Sequence, residues 1–388
     1  MTDALRVLLI NYEYPPLGGG GGNATRHLGR ALVRLGAKAM VITAAYGNLP
    51  ATEDDGGLVV RRIKTWRRHR DRCSIAEMIA FMLAARTSVS TLSKTFQPDV
   101  TLAYFTLPCG PVAHYLKKLM GVPYLISLQG GDVPGFMSDQ LGLYHNFCGG
   151  WIRRLWTDAA GVIANSEGLA RLARAHAPDL PVGVIPAGAD IDGIFPPDYP
   201  LDENVPLRLL FVGRLVQQKG LDVLLAAISK MKKINGVHLT LAGDGPLRKE
   251  LVAQVQNSAL KGRVTFKGWV DKNQLVAVYK EADVFVLPSR DEGMPNAMLE
   301  AMAGGLAIVG TSISGIEELV VDGITGLIIP QEDAHSLARA LDTLTNNRVM
   351  ARDMGRAGRA RAEEHYSWSI VGRAYLDVLT RAAAKFEP

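Results

Sequence analysis

The chain of 388 residues is too long for one ordinary domain and fits two of about 150–200 residues each. Apolar residues make up 48% of it, enough for two cores, and a net charge of +5 without a charged tail argues against nucleic acid as a partner. Cys73, Cys109 and Cys148 show neither CxxC nor metal spacing, and their odd number fits a reducing, cytoplasmic compartment.

The N-terminus is expected to enter a strand at once, without a signal segment, and no run of roughly 18 apolar residues marks a membrane span. Arg6 to Asn11 reads as a first buried strand, followed by Tyr14-Pro-Pro-Leu and the five glycines Gly18 to Gly22. A helix is expected from Asn23, with Leu28, Leu32 and Leu35 on one face. Strand, glycine loop and helix open a Rossmann-like unit, and the loop lets a bulky ligand approach the backbone. Five consecutive glycines match any glycine pattern, so they are not diagnostic of a dinucleotide. Further strands are expected at 38–43, 58–63, 100–105, 124–128, 161–165 and 183–186, with helices at 75–96 and 111–119. Such alternation argues for a parallel sheet covered on both faces.

Arg61 to Arg72 is the one dense charge run, R-R-I-K-T-W-R-R-H-R-D-R. It reads either as a solvated face or as a contact for an anionic membrane or a phosphorylated acceptor, with Trp66 dipping into the interface. Ser127-Leu-Gln-Gly-Gly-Asp-Val133 ends a strand, where ligands sit in open α/β sheets. Gln129 offers a hydrogen bond to a sugar hydroxyl; Asp132 is either the carboxylate nearest an acceptor or a structural cap. Pro196 to Pro200 and the polar stretch to Pro206 mark a linker.

The second half opens with a strand at 207–212 and the run Gly213-Arg-Leu-Val-Gln-Gln-Lys-Gly220 before a helix at 221–231. Arg214 and Lys219 at a strand's C-terminal end suit a diphosphate, the arginine as a fork and the lysine as a point charge; salt bridges to neighbouring loops are the alternative. Strands at 237–242, 264–267, 284–287, 306–310 and 326–329 complete a second sheet. After the strand Val284–Leu287 come Pro288, a polar turn, and a short helix ended by Gly304 and Gly305. Pro295 suits the first helical turn, and the N–H groups of Gly293, Asn296 and Ala297 face outward at a positive helix end. Glu292 and Glu300 are placed to accept hydrogen bonds from different hydroxyls of an elongated ligand whose phosphates lie between them.

The stretch E-G-M-P-N-A-M-L-E, Glu292 to Glu300, resembles the E-x7-E signature of family 4 glycosyltransferases, and G-R-L-x-x-x-K-G resembles that family's diphosphate clamp. The resemblance implies an α/β protein of two facing Rossmann-like domains (GT-B), residues 1–200 on the acceptor side and 207–367 on the donor side, with an interdomain cleft. A helix at 368–388 would cross back to the first domain. It implies a retaining transfer from a UDP- or GDP-linked sugar to a glycan, lipid-linked or small-molecule acceptor, with no metal and no cofactor beyond the donor. Catalysis would fall to Arg214, Lys219, Glu292, Asp132 and Gln129. Donor binding would use Gly19, Gly20, Arg214, Lys219, Val270 beside the nucleobase, Glu292, the Gly293-Met294-Pro295-Asn296-Ala297 turn, and Glu300 on the ribose. Two departures stand out: Gln129 replaces the usual histidine, and Ala187 replaces asparagine in I-P-A-G-A-D. A same-fold epimerase and an inactive nucleotide-sugar binding protein are the rival readings. A peripheral position on the inner membrane face would follow if Arg61–Arg72 docks there.

Overall fold

The computed structural model describes residues 4–70, 72–194, 196 and 205–385. The chain divides into two compact units, Met1–Gly188 with Trp368–Pro388, and Ala189–Ser367. Most of the expected linker, 197–204, lies outside the described residues.

The first unit runs β1 (Arg6–Ile10), α1 (Gly20–Arg34), β2 (Lys38–Ala44), β3 (Thr52–Asp55), β4 (Leu58–Ile63), α2 (Ile75–Phe96) and β5 (Val100–Tyr104). It continues with α3 (Cys109–Met120), β6 (Tyr124–Leu128), α4 (Ser138–Asp158), β7 (Gly161–Ala164), α5 (Glu167–His176) and β8 (Val182–Val184). Its sheet has the order β3-β4-β2-β1-β5-β6-β7-β8, parallel except for β3, which pairs antiparallel with β4. Apolar runs such as Val7–Ile10 are buried on both faces, as a covered parallel sheet requires.

The second unit runs β9 (Leu207–Val212), α6 (Leu221–Ser229), β10 (Val237–Ala242), α7 (Arg248–Gln256), β11 (Val264–Gly268), α8 (Lys272–Lys280) and β12 (Val284–Leu287). Then follow α9 (Asn296–Ala303), β13 (Ala307–Thr311), α10 (Ser314–Glu317), β14 (Gly326–Ile329), α11 (Ala334–Asn346) and α12 (Arg348–His365). The parallel order β11-β10-β9-β12-β13-β14 reverses between β9 and β12, which makes their C-terminal ends the ligand crevice of a doubly wound sheet. The last helix, α13 (Trp368–Ala384), belongs to the first unit. Trp368 stacks on His27 of α1 at 5.5 Å, and the Tyr375 hydroxyl lies 3.0 Å from Ser127 Oγ at the end of β6.

Three expectations need correction. Helix α1 begins at Gly20, not Asn23, so three of the five glycines form its first turn. The need for glycine there is steric: a Cβ at Gly21 would lie 2.8 Å from the Phe105 ring. Helix α2 is long and apolar enough in composition to cross a membrane, although one face, with Phe81, Ala85 and Val89, is buried in the sheet core. The basic run is not a row of free cations. Arg62 is buried and pairs with Glu53 at 2.6 Å, the Arg67 guanidinium sits over Tyr12 and 3.7 Å from Glu13, and Arg70 donates to the Pro16 carbonyl.

Asp55, 7% exposed, accepts Arg26 Nε at 2.7 Å, the Tyr14 hydroxyl at 2.5 Å and the Arg30 guanidinium, which ties α1 to β3. Burial alone would raise its pKa; the bonds from Arg26 and Tyr14 reverse that and hold it at about 2, below the ordinary 3.8. A depressed folded pKa gives stability that is complete above the ordinary value and is lost as pH falls towards 2. Asp55→Asn is expected to cost about 2 kcal/mol near neutral pH and to flatten the acid limb of a urea-unfolding series. Unchanged stability at neutral pH would refute this.

Candidate functional site

The second unit builds its site at the C-terminal ends of β9 and β12. Lys219 closes a 3-10 turn, Gln217–Lys219, after β9. Its Nζ stands 2.5 Å from Glu292 Oε1, which also accepts Ser289 Oγ at 2.7 Å. Both side chains are largely shielded from water, with 18% of Lys219 and 8% of Glu292 exposed. Among the described residues Glu292 Oε2 has no protein donor, and two N–H bonds of Lys219 stay open. Arg214 is exposed on the same loop, and among the described residues no carboxylate pairs with it. The cation pair thus differs from the expected clamp in one respect: Lys219 is held by Glu292, and Arg214 is the open one.

The two loops are laced together. Ser289 donates its hydroxyl to Glu292 while its carbonyl accepts Thr311 Oγ1 at 2.6 Å. Arg290 N–H donates to the Gln218 carbonyl at 2.7 Å, and its guanidinium pairs with Asp222 at 2.8 Å and Glu332 at 2.5 Å. Those carboxylates raise the Arg290 pKa further. Pro295 takes the position before α9, and Met298 and Leu299 N–H both turn to its carbonyl. The N–H groups of Gly293, Asn296 and Ala297 keep no acceptor among the described residues, as an anion site at a helix start requires. Glu300, half-buried on α9, is held by Tyr279 OH at 2.9 Å; burial and this carboxylate push the phenol pKa up, so it stays a donor. Val270 follows β11 at the same edge of the sheet. A separate cavity of about 490 Å³, lined by Lys232, Lys233, Thr345 and Arg348 among others, opens at the opposite, N-terminal edge of the strands.

The first unit places its candidate residues at its own switch between β1 and β5 and at the end of β6. Gly19 precedes α1 and Gly20 begins it. Asn11, fully buried, donates Nδ2 to Thr25 Oγ1 at 2.6 Å and to the Gly21 carbonyl at 3.3 Å, which fixes this turn. Asp132, buried, makes the contacts of a structural cap, one of its two expected readings. Its oxygens accept the N–H groups of Thr106 at 2.8 Å, Gln129 at 3.0 Å and Gly130 at 3.1 Å. Burial raises its pKa against the pull of these donors. Gln129 Nε2 donates to Ser127 Oγ at 2.8 Å, and among the described residues no donor reaches its side-chain oxygen.

Two family profiles cover this chain, "Glycosyltransferase Family 4" over residues 18–192 and "Glycosyl transferases group 1" over 199–361. The chain belongs to the family 4 glycosyltransferases. It is 27% identical to a glycogen synthase of Mycobacterium tuberculosis, over 97% of this chain and 95% of that one. Sucrose-phosphate synthase from Thermosynechococcus elongatus superposes with a TM-score of 0.85 at 22% identity, covering 98% of this chain and all of that one. Anabaena HepE, determined with UDP and glucose, superposes at 0.77 with 18% identity over 97% and 99% of the two chains. These likenesses give this glycosyltransferase the GT-B fold.

Sequence reasoning missed Thr311, Tyr279 and Arg290 as supports, and Thr106 in the first unit, because each acts on a residue distant in the chain; it also missed Ser289 and Ser127, whose bonds to Glu292 and Gln129 are local but depend on the shape of the turn. It also missed Gly315 of α10. A Cβ there would fall 2.2 Å from the Gly293 carbonyl oxygen and 2.8 Å from that of Glu292, so the glycine lets α10 pack directly behind the Glu292 turn. Gly315→Ala should cost about 1–3 kcal/mol by overpacking. Gly150→Ala in α4, where a Cβ meets nothing within 4 Å, should be neutral or stabilising. Equal thermal unfolding of both variants would contradict the packing argument.

Proposed function

We propose that this glycosyltransferase moves a sugar, with retention of anomeric configuration, from a UDP- or GDP-linked donor to a hydroxyl of a glycan, lipid-linked or small-molecule acceptor. The observation that carries the reading is the open Arg214 beside the Lys219–Glu292 pair at the β9/β12 switch. Arg214 binds the donor diphosphate as a fork, Lys219 adds its two remaining N–H bonds, and the α9 N-terminus supplies backbone donors. Glu292 Oε2 accepts a sugar hydroxyl, Glu300 the ribose hydroxyls, and the backbone near Val270 the base. The name of the mycobacterial relative supports a glucan-type hydroxyl acceptor, and UDP in HepE supports a uridine donor.

As the bond from the anomeric carbon to the diphosphate breaks, charge grows on the leaving oxygen, and these cations stabilise it. The acceptor oxygen forms the new bond on the same face and passes its proton to the departing phosphate. No enzyme base is required in this route. Gln129 therefore orients a hydroxyl, and Asp132 acts by positioning the Gln129–Gly130 turn. Two protein cations meet the diphosphate charge, so transfer proceeds without a divalent ion or cofactor. Analysing products with donor alone and then with glucan acceptors separates a transferase from an epimerase and from an inactive binder. An inverted linkage, or activity lost in chelator and restored by magnesium, would reject this route.

The charge-based reading predicts that a nucleoside diphosphate stabilises the protein while the nucleoside alone hardly does. At 100 times its Kd a ligand adds about 2.7 kcal/mol to apparent stability. Arg214→Ala should remove most of that gain without unfolding the chain, since such charge-assisted bonds are worth about 1.5–3 kcal/mol. Because the bond strengthens as charge develops, kcat should fall with affinity. Wild-type thermal shifts and turnover in both Arg214→Ala and Lys219→Ala would place the donor elsewhere.

A further inference from the structure

Two helices of the first unit each expose an apolar row at i, i+4, i+8 spacing. On α2 these are Ile75, Ile79 and Leu83, 62%, 48% and 60% exposed; on α4 they are Leu143, Phe147 and Trp151, 88%, 95% and 43% exposed. The opposite faces of both helices, with Phe81, Ala85 and Val89 on α2 and Ile152, Leu155 and Trp156 on α4, join one core cluster. Both helices pack on α3, so the rows lie on the same side of the sheet and flank it. Single exposed apolar residues are ordinary; two such rows on helices that flank a common neighbour are not.

On α4 carboxylates stand only at the two ends, Asp139 and Asp158. From Leu141 to Thr157 the chain has no carboxylate, and on α2 the only one is Glu77. Glu77 is buried, accepting the Ser74 hydroxyl at 2.6 Å and the Arg68 N–H at 2.7 Å. Arg68, Arg72, Arg86 and Arg154 are exposed around the rows. We propose that the α2–α4 face docks on an anionic lipid surface, its apolar rows entering the acyl boundary and its arginines meeting the headgroups. A second copy of the chain is the weaker occupant, since it would bring two cationic rims together. The residues buried against Tyr12 and Glu53 in the basic run take no part; the rim does.

Flotation with vesicles of phosphatidylglycerol in phosphatidylcholine, against phosphatidylcholine alone, tests this without donor or acceptor, so its failure leaves the transferase reading untouched. The wild type should float with the anionic vesicles, and high salt should weaken the binding. The double variants Leu143→Ser/Phe147→Ser and Ile79→Ser/Leu83→Ser should each lower the partition at least roughly tenfold, with thermal unfolding unchanged. The proposal is overturned if the wild type stays unbound, if it floats equally with neutral vesicles, or if the variants float like it. Light scattering that shows a wild-type dimer dispersed by the same substitutions would also overturn it, in favour of a second copy.

Discussion

A single ion pair, Lys219 to Glu292 at 2.5 Å, joins two loops that are 73 residues apart in the chain. Its partners are shielded, so removing either would strand a poorly solvated charge in the other. The pair is also incomplete: the lysine keeps two donors and the glutamate one oxygen. That combination lets one contact hold the loops in place while leaving polar atoms uncommitted on both partners. Ser289, Thr311 and Arg290 spend their bonds on the same two loops, which keeps the pair's geometry from depending on one side chain.

Carboxylates in the first unit serve a different end. Asp132 and Asp55 both gather donors from separate segments, Asp132 three backbone N–H groups and Asp55 two arginines and a tyrosine. Asp132 therefore shapes the turn that carries Gln129, and Asp55 holds α1, whose first turn is glycine, against β3. The C-terminal helix reaches the same turn through Tyr375, Ser127 and Gln129. Positioning in this unit is done by buried polar groups.

The basic run illustrates how composition alone misplaces a surface. Arg62, Arg67 and Arg70 spend their charge on Glu53, Tyr12, Glu13 and the Pro16 carbonyl, because the loop folds back over the end of β1. The apolar rows that remain in water belong to α2 and α4, and neither is dense enough in charge to be noticed as a run.

The amino-acid pattern alone determined most strands, since a parallel strand covered on both faces must be a short apolar run, as in Val284–Leu287 and Leu207–Val212. It also determined the E-x7-E stretch and its helix start, because those depend on residues near each other in the chain. The polar edge strand Thr52–Asp55 and helix α4 escaped it: an edge strand need not be apolar, and α4 carries apolar residues on its solvent side as well as its core side. Only the tertiary structure decided that β9 lies beside β12, that Lys219 meets Glu292 and that Gly315 must lack a side chain. Each of these is a contact across strand order or helix packing, and its partners are set by topology rather than by spacing along the chain.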